Sequence, residues 1–401
     1  MRIYYEAYGC TLQRSETSLY VSKLLSEGNE LATSPEEADL SIIGTCVVIR
    51  QTEERMLRRI DDLTSKTKVK VLGCLAPVRG DTLGDGNIEV VSSSEFRNFY
   101  NGYIDEVGPV VPDVWEGIPI NQGCTGNCNF CISKTARGKL VSRQPEKIVN
   151  QILMQLERGI REIKLTSLDT ASYGLDMGID LTELLKRILS LEDDFLLRIG
   201  MMEPKNADAI FDRLLLQMGD ERVLKFLHIP VQSGDDRILT RMNRGYTIST
   251  FMDLVKKYRE RFPLGTLSTD IIVGYSGEDD ESFNMTRSLI EEIKPDILNV
   301  TRFSPRPMTR DFDAKLPSSN KVKKWTKELA ELHVAIREEI MSSLEGSVEE
   351  AFALEKGKGE TTVLRDRNYR PIVVDGSLDM FSRVEVEITG HGSTYLTGRI
   401  I

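Results

Sequence analysis

The sequence predicts an α/β protein in three parts: an open parallel sheet covered by helices, a partial (β/α)6 barrel, and a small OB-like β-barrel. The first observation is that strand and helix patterns alternate over residues 1–107 and again over about 117–303. The second is that residues 346–401 carry five short strand patterns separated only by turn residues. The third is length, since 401 residues exceed one ordinary hydrophobic core. We therefore expect domains at 1–107, 110–343 and 344–401.

The first part is predicted from three strands that each lead towards a helix. The strand patterns are RIYYEAY, ADLSIIGT and VKVLG, with helices near residues 13–27 and 50–65. Cys10, Cys46 and Cys74 each fall at the carboxyl end of one strand or one or two residues past it. Because ligands of open α/β sheets bind outside those ends, we expect the three thiols to meet there. The alternative is that each cysteine is a small buried hydrophobe.

The central part follows a linker, GPVVPDVWEGI, and is predicted from six strand patterns with helices between them. The patterns are IPINQ, EIKLTS, LLRIGM, KFLHIPV, STDIIVGY and ILNVTRF. Between the first two, Ile148, Ile152 and Leu156 share one helix face before Gly159 ends the helix. Six such units predict a partial barrel, in which the chemistry lies on the loops that follow the strands.

The last part consists of a helix rich in Lys, Glu and Leu at 319–345, followed by short strands. Their patterns are VEEAFALEKG, ETTVLRD, YRPIVVDG, SRVEVEITGHG and STYLTGRII. Small barrels of this kind often bind oligonucleotides, and a barrel that serves only for packing is the alternative.

Composition restricts the class of protein. With 40% hydrophobic and 28% charged residues the chain is typical of globular proteins, and its net charge of −10 argues against nonspecific coating of nucleic acid. A local basic strip at 302–327 nevertheless carries eight Lys and Arg against two Asp, so it is either a solvated linker face or a phosphate-contacting surface. No run of 18 apolar residues and no secretory leader is visible, so we expect a cytoplasmic protein without membrane association.

The stretch NQGCTGNCNFC contains Cys124, Cys128 and Cys131 in the spacing C-x3-C-x2-C. Structural zinc takes four ligands, and no nearby Cys or His supplies the fourth. Disulfides need pairs of cysteines and an oxidising compartment. Thiolates also hold iron–sulfur clusters, and three of them leave one iron of a four-iron cluster open to a small molecule. The pattern therefore favours an iron–sulfur site.

Several other stretches of the sequence, taken together with this loop, are typical of one enzyme family. After CTGNCNFC, the stretches ARGKLVSR, TSLDTASYG, HIPVQSGDDRILTRMNRGYT and TDIIVGYSGE follow in order. With Phe130 before the last cysteine, the upstream YGC, GTC and GC, and a TRAM-like terminal barrel, the chain resembles the radical S-adenosylmethionine (SAM) methylthiotransferases over essentially its whole length. The segment SPRPMT and the tail CISKTARGKLVSR are most similar to the branch that acts on N6-threonylcarbamoyladenosine at position 37 of tRNA.

The resemblance implies two four-iron clusters with separate tasks. The loop cysteines would hold the cluster that binds SAM and cleaves it to a 5′-deoxyadenosyl radical, which removes hydrogen from C2 of the adenine. Cys10, Cys46 and Cys74 would hold an auxiliary cluster whose open iron carries the sulfur, methylated by another SAM, that C2 receives. The partners implied are tRNA, bound at its anticodon loop, and a reductant such as flavodoxin or ferredoxin.

Further candidate residues follow from their positions. Arg137 and Arg143 flank the cysteine loop, with SAM or RNA contact and a plain surface role as alternatives. Asp270 is expected to face the barrel lumen, and His228 is interpreted as a polar core residue. The candidates for catalysis or SAM contact are Phe130, Arg143, Asp169, Glu203, Gln232 and Ser233, and those for tRNA phosphate contact are Arg302, Arg306, Lys323 and Lys324.

Other functions stay open at the level of the sequence. The same scaffold modifies isopentenyladenosine in tRNA or an aspartate of a ribosomal protein, and the scattered pocket loops do not separate these substrates. A non-catalytic iron–sulfur RNA-binding sensor is the alternative from a different class.

Overall fold

The structure, a computed structural model, describes residues 1–83, 86–92, 95–96, 98–99 and 117–401. It divides into two compact units. Unit 1 comprises residues 1–158, 164–180 and 304–314, and unit 2 comprises residues 159–163, 181–303 and 315–401. The expected domain boundary near 107–110 and most of the expected linker at 108–118 lie outside the described residues.

Unit 1 begins with a parallel sheet of order β2-β1-β3-β4-β5. Its central strand is almost entirely buried, because helices cover both faces. The sheet confirms the predicted open α/β fold, although the short edge strands β2 and β5 carry too few residues to show a pattern. The elements are β1 (Arg2–Ala7), β2 (Glu30–Leu31), β3 (Leu40–Thr45), β4 (Lys68–Gly73) and β5 (Ile88–Val90), with helices Thr11–Ser26, Arg50–Thr64 and Ala76–Arg79.

The rest of unit 1 carries the cysteine loop. The stretch IPINQ forms two short strands instead of one, because the chain changes partners at Ile120: its N–H donates to Thr166, while its carbonyl accepts from Arg143. The first of these strands pairs in parallel with β9, and the second pairs antiparallel with β8. The elements are β6 (Ile118–Pro119), β7 (Asn121–Gln122), β8 (Val141–Ser142) and β9 (Glu162–Thr166), with helices Ile132–Arg137 and Pro145–Glu157.

Unit 2 contains the later strands of the predicted partial barrel. The strands β11, β12 and β13 pair in parallel in that order. Their helices begin at polar caps; the Asp279 carboxylate, for example, accepts from the Ser282 N–H at 2.9 Å. The strands are β10 (Leu196–Ile199), β11 (Phe226–His228), β12 (Thr266–Val273) and β13 (Ile297–Arg302). The helices are Leu181–Leu189, Pro204–Asp208, Phe211–Gln217, Asp236–Arg241, Ile248–Arg261, Asp280–Ile293 and Ser319–Ser342.

A closed barrel of order β14-β15-β16-β18-β17 completes unit 2 and confirms the predicted small β-barrel. Ala351, Leu364, Ile372, Val386 and Leu396 fill its interior, because alternate side chains of each strand point inwards. The strands are β14 (Val348–Lys356), β15 (Thr361–Asp366), β16 (Pro371–Asp375), β17 (Arg383–His391) and β18 (Leu396–Ile400). Among the described residues, no helix combines the length and the apolar character that a membrane crossing needs.

Candidate functional site

The cysteine loop is held in place by its own backbone. Gly123 has a φ of +72°, and a Cβ at this position would lie 2.0 Å from the Lys139 carbonyl oxygen, so only glycine fits the turn into the loop. The Cys124 N–H donates to the Gly138 carbonyl at 3.3 Å, and the Cys131 N–H donates to Cys128 at 3.2 Å. The loop therefore begins at a turn that fixes where the first thiol lies.

The loop thiols lie within electrostatic range of one another. A Cβ on Gly126 would lie 3.2 Å from the Cys124 sulfur and 3.8 Å from the Cys128 sulfur, so a side chain there would occupy the space between the two thiols. Burial raises the pKa of the Cys124 thiol to about 11, and the charges of Asp169, Cys131 and Cys128 add to the rise. The pKa thus reports three thiols and one carboxylate within electrostatic range of one another.

The second set of thiols lies at the carboxyl edge of the first sheet, as predicted. Cys10 is the residue that precedes the helix Thr11–Ser26, while Cys46 and Cys74 directly follow the neighbouring strands β3 and β4. Burial raises the pKa of Cys10, although the residue as a whole is exposed, and it also raises the pKa of Cys46; the neighbouring Cys74 adds to both shifts. The topology therefore brings together three cysteines that are far apart in sequence.

Arg137 connects the two sets of thiols, which both belong to unit 1. It lies at the end of the short helix that follows Cys131, and its Nε donates to the Cys74 sulfur at 3.3 Å. Its Nη1 donates to the Glu16 carboxylate and its Nη2 to the Gln13 side-chain oxygen. The Arg137 side chain is therefore buried and fully engaged, which corrects the surface role that the sequence left open.

The same short helix packs against the first sheet. Ile132 and Ala136 belong to the hydrophobic core that also contains Cys74, Leu75 and Ala76. The cysteine loop therefore rests on the sheet edge that carries the other thiols.

The donor set fits an iron–sulfur cluster better than a single ion. No three His, Cys, Asp or Glu side chains converge tightly enough for one metal ion in the part of the chain that the structure describes. A cluster distributes its thiolate ligands over several iron atoms and does not need that convergence. Six thiols in two sets of three are therefore compatible with two clusters.

The segment 304–314 returns to unit 1 and contacts the cysteine loop. The Asp311 N–H donates to the Asn129 carbonyl at 3.4 Å, and Arg310 donates to the Asn129 side chain at 3.3 Å. Arg306 is only 3% exposed and donates to the buried Glu53 carboxylate. The expectation that Arg306 contacts tRNA phosphate is therefore wrong for this structure, because the guanidinium is already engaged by a carboxylate away from solvent.

Arg143 also differs from its expected role. It is buried, and its Nη1 donates to the Pro119 carbonyl at 2.7 Å and to Gln151 at 2.8 Å. A guanidinium that joins a strand to a helix in this way stabilises the fold, so the structure does not support contact with SAM. Phe130, by contrast, is half-buried within the loop itself.

Asp169 lies near the cysteine loop within unit 1. Its buried carboxylate accepts from the Ala171 N–H at 3.1 Å, and its carbonyl accepts from the Asn121 side chain at 3.3 Å. Its charge contributes to the raised pKa of Cys124, so the carboxylate lies within electrostatic range of the thiol. Asp169 can therefore present a negative charge beside the loop.

The remaining candidates of the barrel lie in unit 2, after its strands. Gln232 has a φ of +73°, a left-handed backbone that is unfavourable for any residue except glycine, and the strain is held by hydrogen bonds to Asp270 and Ile272. Ser233 is buried beside it. Glu203 caps the short helix that follows it and lies 3.5 Å from the Arg244 guanidinium. Such strain and buried polar side chains are typical of functional sites.

Asp270 connects three neighbouring parallel strands. Its carboxylate lies 3.2 Å from the His228 Nε2 on one side and accepts from Asn299 at 2.7 Å on the other. Although burial opposes ionisation, the His228 hydrogen bond keeps the pKa of Asp270 below its usual value. The carboxylate therefore keeps its negative charge at neutral pH.

Three of the four candidate phosphate contacts are exposed. Arg302 ends β13, and Lys323 and Lys324 lie on the helix Ser319–Ser342. Arg302 donates weakly to Thr326 at 3.3 Å, and Lys324 pairs with Glu328 only at 3.7 Å. Their charges remain accessible to a polyanion.

Sequence reasoning missed the polar residues that support the site. Gln13 and Glu16 lie on the buried face of a helix in which all positions from 15 to 22 are buried, where carboxylates are rarely found without a partner. Their burial is not visible in the sequence, and nothing in the sequence identified Arg137 as their partner.

Two family models match the chain. Residues 118–290 match the Radical SAM superfamily, and residues 2–92 match uncharacterized protein family UPF0004. The first range contains the cysteine loop, and the second contains Cys10, Cys46 and Cys74.

Curated relatives match over the full chain. A protein of Methanocaldococcus jannaschii named probable threonylcarbamoyladenosine tRNA methylthiotransferase is 35% identical over 425 residues, which cover 100% of this chain and 97% of the relative. A protein of the same name from Archaeoglobus fulgidus is 36% identical over 426 residues, which cover 100% of this chain and 99% of that relative. The structure of a radical S-adenosylmethionine methyltransferase from Kitasatospora setae matches 78% of this chain and 73% of its own, with a TM-score of 0.55 and 14% sequence identity. At this identity the match shows a similar fold.

Proposed function

Since the chain belongs to the radical SAM tRNA methylthiotransferases, we propose that it adds a methylthio group to C2 of N6-threonylcarbamoyladenosine at position 37 of tRNA. The full-length relatives named for that substrate support this choice of base. The observation that carries the proposal is the pair of three-thiol sets in one unit, connected by Arg137. Both the source of the radical and the holder of the sulfur are then supplied by one structural unit.

Cys124, Cys128 and Cys131 would hold the first four-iron cluster, which supplies the electron that cleaves SAM when it is bound. Because the loop offers three thiols, one iron of such a cluster would remain open to SAM. Gly126 keeps the space beside the Cys124 and Cys128 sulfurs free of a side chain, and Gly123 permits the turn that leads into the loop. Asp169, beside Cys124, is placed to receive a hydrogen bond or positive charge from SAM.

Cys10, Cys46 and Cys74 would hold a second cluster, which would supply a site for the sulfur that is transferred. Arg137 acts here as a positioning residue: its Nε–H donates to the Cys74 sulfur, and Glu16 and Gln13 fix the guanidinium. A hydrogen bond from a cationic donor stabilises a thiolate and affects the reduction potential of the cluster that it binds. The same contact joins the short helix that follows Cys131 to Cys74.

Within unit 2, Glu203, Gln232 and Ser233 would contact SAM or the adenine, because they follow barrel strands at the carboxyl end. The strained backbone of Gln232 supports this role. A base in an anticodon loop has to be splayed out to reach such a site. Phe130 is the candidate for apolar contact beside the first cluster.

Arg302, Lys323 and Lys324 would contact tRNA phosphates, together with the terminal barrel. The segment SPRPMT contributes differently from the sequence expectation: its Arg306 is buried on Glu53, and the two residues that follow the segment, Arg310 and Asp311, contact Asn129 of the cysteine loop and would shape the pocket there. A reductant such as flavodoxin or ferredoxin would supply the electron, and the cytoplasm, where tRNA is modified, would be the compartment.

Nucleoside mass spectrometry of tRNA from a deletion strain tests the substrate. We expect the 2-methylthio form of threonylcarbamoyladenosine to disappear and to return when the gene is restored. If the methylthio form of isopentenyladenosine is lost instead, isopentenyladenosine is the substrate. If the tRNA is unchanged and the ribosomal-protein aspartate loses its modification, that aspartate is the substrate.

Cysteine variants test the division of roles. Reconstituted Cys128→Ala should form no 5′-deoxyadenosine from SAM, whereas Cys46→Ala should still form it and fail to methylthiolate tRNA. If Cys46→Ala methylthiolates normally, the second cluster is not the sulfur carrier. If the intact protein with both clusters does not cleave SAM, the non-catalytic sensor replaces the enzyme.

A further inference from the structure

Unit 2 contains a cavity of about 480 Å³ at the end of its strands opposite to the candidate site. Thr266 and Ile297, which line it, are the first residues of β12 and β13, whereas Gln232 follows β11 at the carboxyl end. The barrel strands β15 and β16 and the helix Ser319–Ser342 provide the other walls. The cavity is therefore separate from the site proposed for SAM and the target base within this unit.

Three arginines line this cavity: Arg337 from the helix, Arg365 from β15, and Arg370, which precedes β16. The one carboxylate among the lining residues, Asp296, is already engaged by Arg259 at 2.9 Å and by the Leu267 N–H. The lining residues therefore bring three cationic groups and one carboxylate that is already paired, although Glu355 and Asp366 pair with Arg365 and Arg370 from outside the lining.

Each of these guanidinium groups has a buried nitrogen without a hydrogen-bond partner among the described residues. Arg370 is 6% exposed and its Nε lies 3.5 Å from the buried Asp366 carboxylate, but its buried Nη1 has no hydrogen-bond partner among the residues that the structure describes. Arg365 pairs with Glu355 at 3.1 Å, but its buried Nε is likewise unpaired. Arg337 makes neither an ion pair nor a hydrogen bond with any described side chain, and burial lowers its pKa. Buried donors without partners are costly, so these groups are suited to receive an anion.

The remaining walls suit the body of an organic molecule. Ile340, Met341, Val363 and Val373 are apolar, and Tyr395 offers an aromatic ring that is 40% exposed. Ile297 is also 40% exposed, so the cavity opens to solvent beside these two residues. A volume of this size lies in the range of ordinary small-molecule sites. An aromatic ring at the opening can stack on a planar base.

We propose that this cavity binds a nucleoside phosphate, with the phosphate on Arg337, Arg365 and Arg370 and the base against Tyr395. The inference is independent of the proposed reaction, since it uses no residue of the cysteine sites. A free nucleotide and a nucleotide within an RNA chain share this chemistry, and they differ in whether the phosphate is a monoester or a diester.

Isothermal titration calorimetry of the full reconstituted chain tests the proposal with uridine 5′-monophosphate, which lacks the adenine that SAM carries. We expect its Kd to be at least about tenfold lower than that of uridine or of inorganic phosphate, because both parts of the ligand contribute. The dinucleotide UpU, which has only an internal diester, separates the sources: equal affinity indicates RNA, and much weaker affinity indicates a free nucleotide.

Variants place the site. Arg337→Gln should raise the Kd of uridine 5′-monophosphate about tenfold or more, and Tyr395→Ala should raise it severalfold, with unchanged thermal unfolding. Arg399→Gln is the matched control, since Arg399 lies on the barrel, is exposed, pairs with Glu387 and does not line the cavity. Binding that is unaffected by both cavity variants, or no binding of any probe, would overturn the proposal.

Discussion

Replacing Arg137 by Met should destabilise unit 1 and not only impair the cluster that Cys74 would hold. Arg137 is 7% exposed, and its partner Glu16 is fully buried. The variant removes a hydrogen bond to sulfur, and among the described residues it leaves the Glu16 carboxylate with a 3.3 Å hydrogen bond from the Gln122 side chain alone. A buried carboxylate without its cation is the costly result.

The size of the effect follows from the burial of both partners. Breaking a buried ion pair by removing one partner costs roughly 3–5 kcal/mol. For a folding unit of 150–250 residues, each kcal/mol lowers Tm by about 2–4 °C, so the expected decrease is about 6–20 °C. The double variant with Glu16→Gln should recover much of the loss, because no buried charge remains.

Differential scanning calorimetry of the cluster-free protein measures the effect without contributions from iron. Arg2→Met is the matched control, since it breaks the exposed pair with Glu37 and should cost less than about 1 kcal/mol. If Arg137→Met lowers Tm no more than Arg2→Met does, the buried pair does not stabilise the unit. In reconstituted protein, Arg137→Lys should also shift the electron paramagnetic resonance signal or the reduction potential of the auxiliary cluster, which a purely structural role would leave unchanged.

Three other predictions concern separate features. Gly123→Ala should reduce iron content to about half, measured by iron analysis, because the Lys139 carbonyl leaves no room for a Cβ; full iron content would contradict it. Burial raises the pKa of Glu278 from 4.5 to about 7, so between these pH values the folded state binds a proton that the unfolded state has lost. The free energy of unfolding should therefore fall by up to about 3 kcal/mol as pH rises from 4.5 to 7. Glu278→Gln should flatten that dependence in denaturant titrations, and equal slopes would refute it. Replacing Arg302, Lys323 and Lys324 together by Ala should lower the salt slope of tRNA affinity by up to about 2 to 3, whereas Arg306→Met should lower stability instead; an unchanged slope would exclude phosphate contacts.

The motif-bearing parts of the chain were predictable because their signals are local. Strand and helix patterns gave every main strand of the first sheet and all five strands of the terminal barrel, and the position of each cysteine after a strand depends only on where that strand ends. The family matches likewise confirm the resemblance inferred from the motifs.

The interactions of buried charged side chains could not be predicted, because their partners are distant in sequence. In the sequence Arg306 belongs to a basic strip, but in the structure it donates to Glu53, which lies 253 positions away. Arg137 and Arg143 flank the cysteine loop, so contact with SAM or RNA, or a plain surface role, was expected, and both are engaged within the fold. The charge of a side chain is visible in the sequence, but its burial is a property of tertiary packing.

Unit 1 is discontinuous, and this has a consequence for its synthesis. Its last segment, residues 304–314, supplies Arg306 to the buried Glu53. A ribosome therefore has to translate most of unit 2 before the unit that holds all six cysteines can close, and a nascent chain stopped near residue 180 would contain every cysteine but leave Glu53 without Arg306. Insertion of iron during translation would thus act on an incomplete fold.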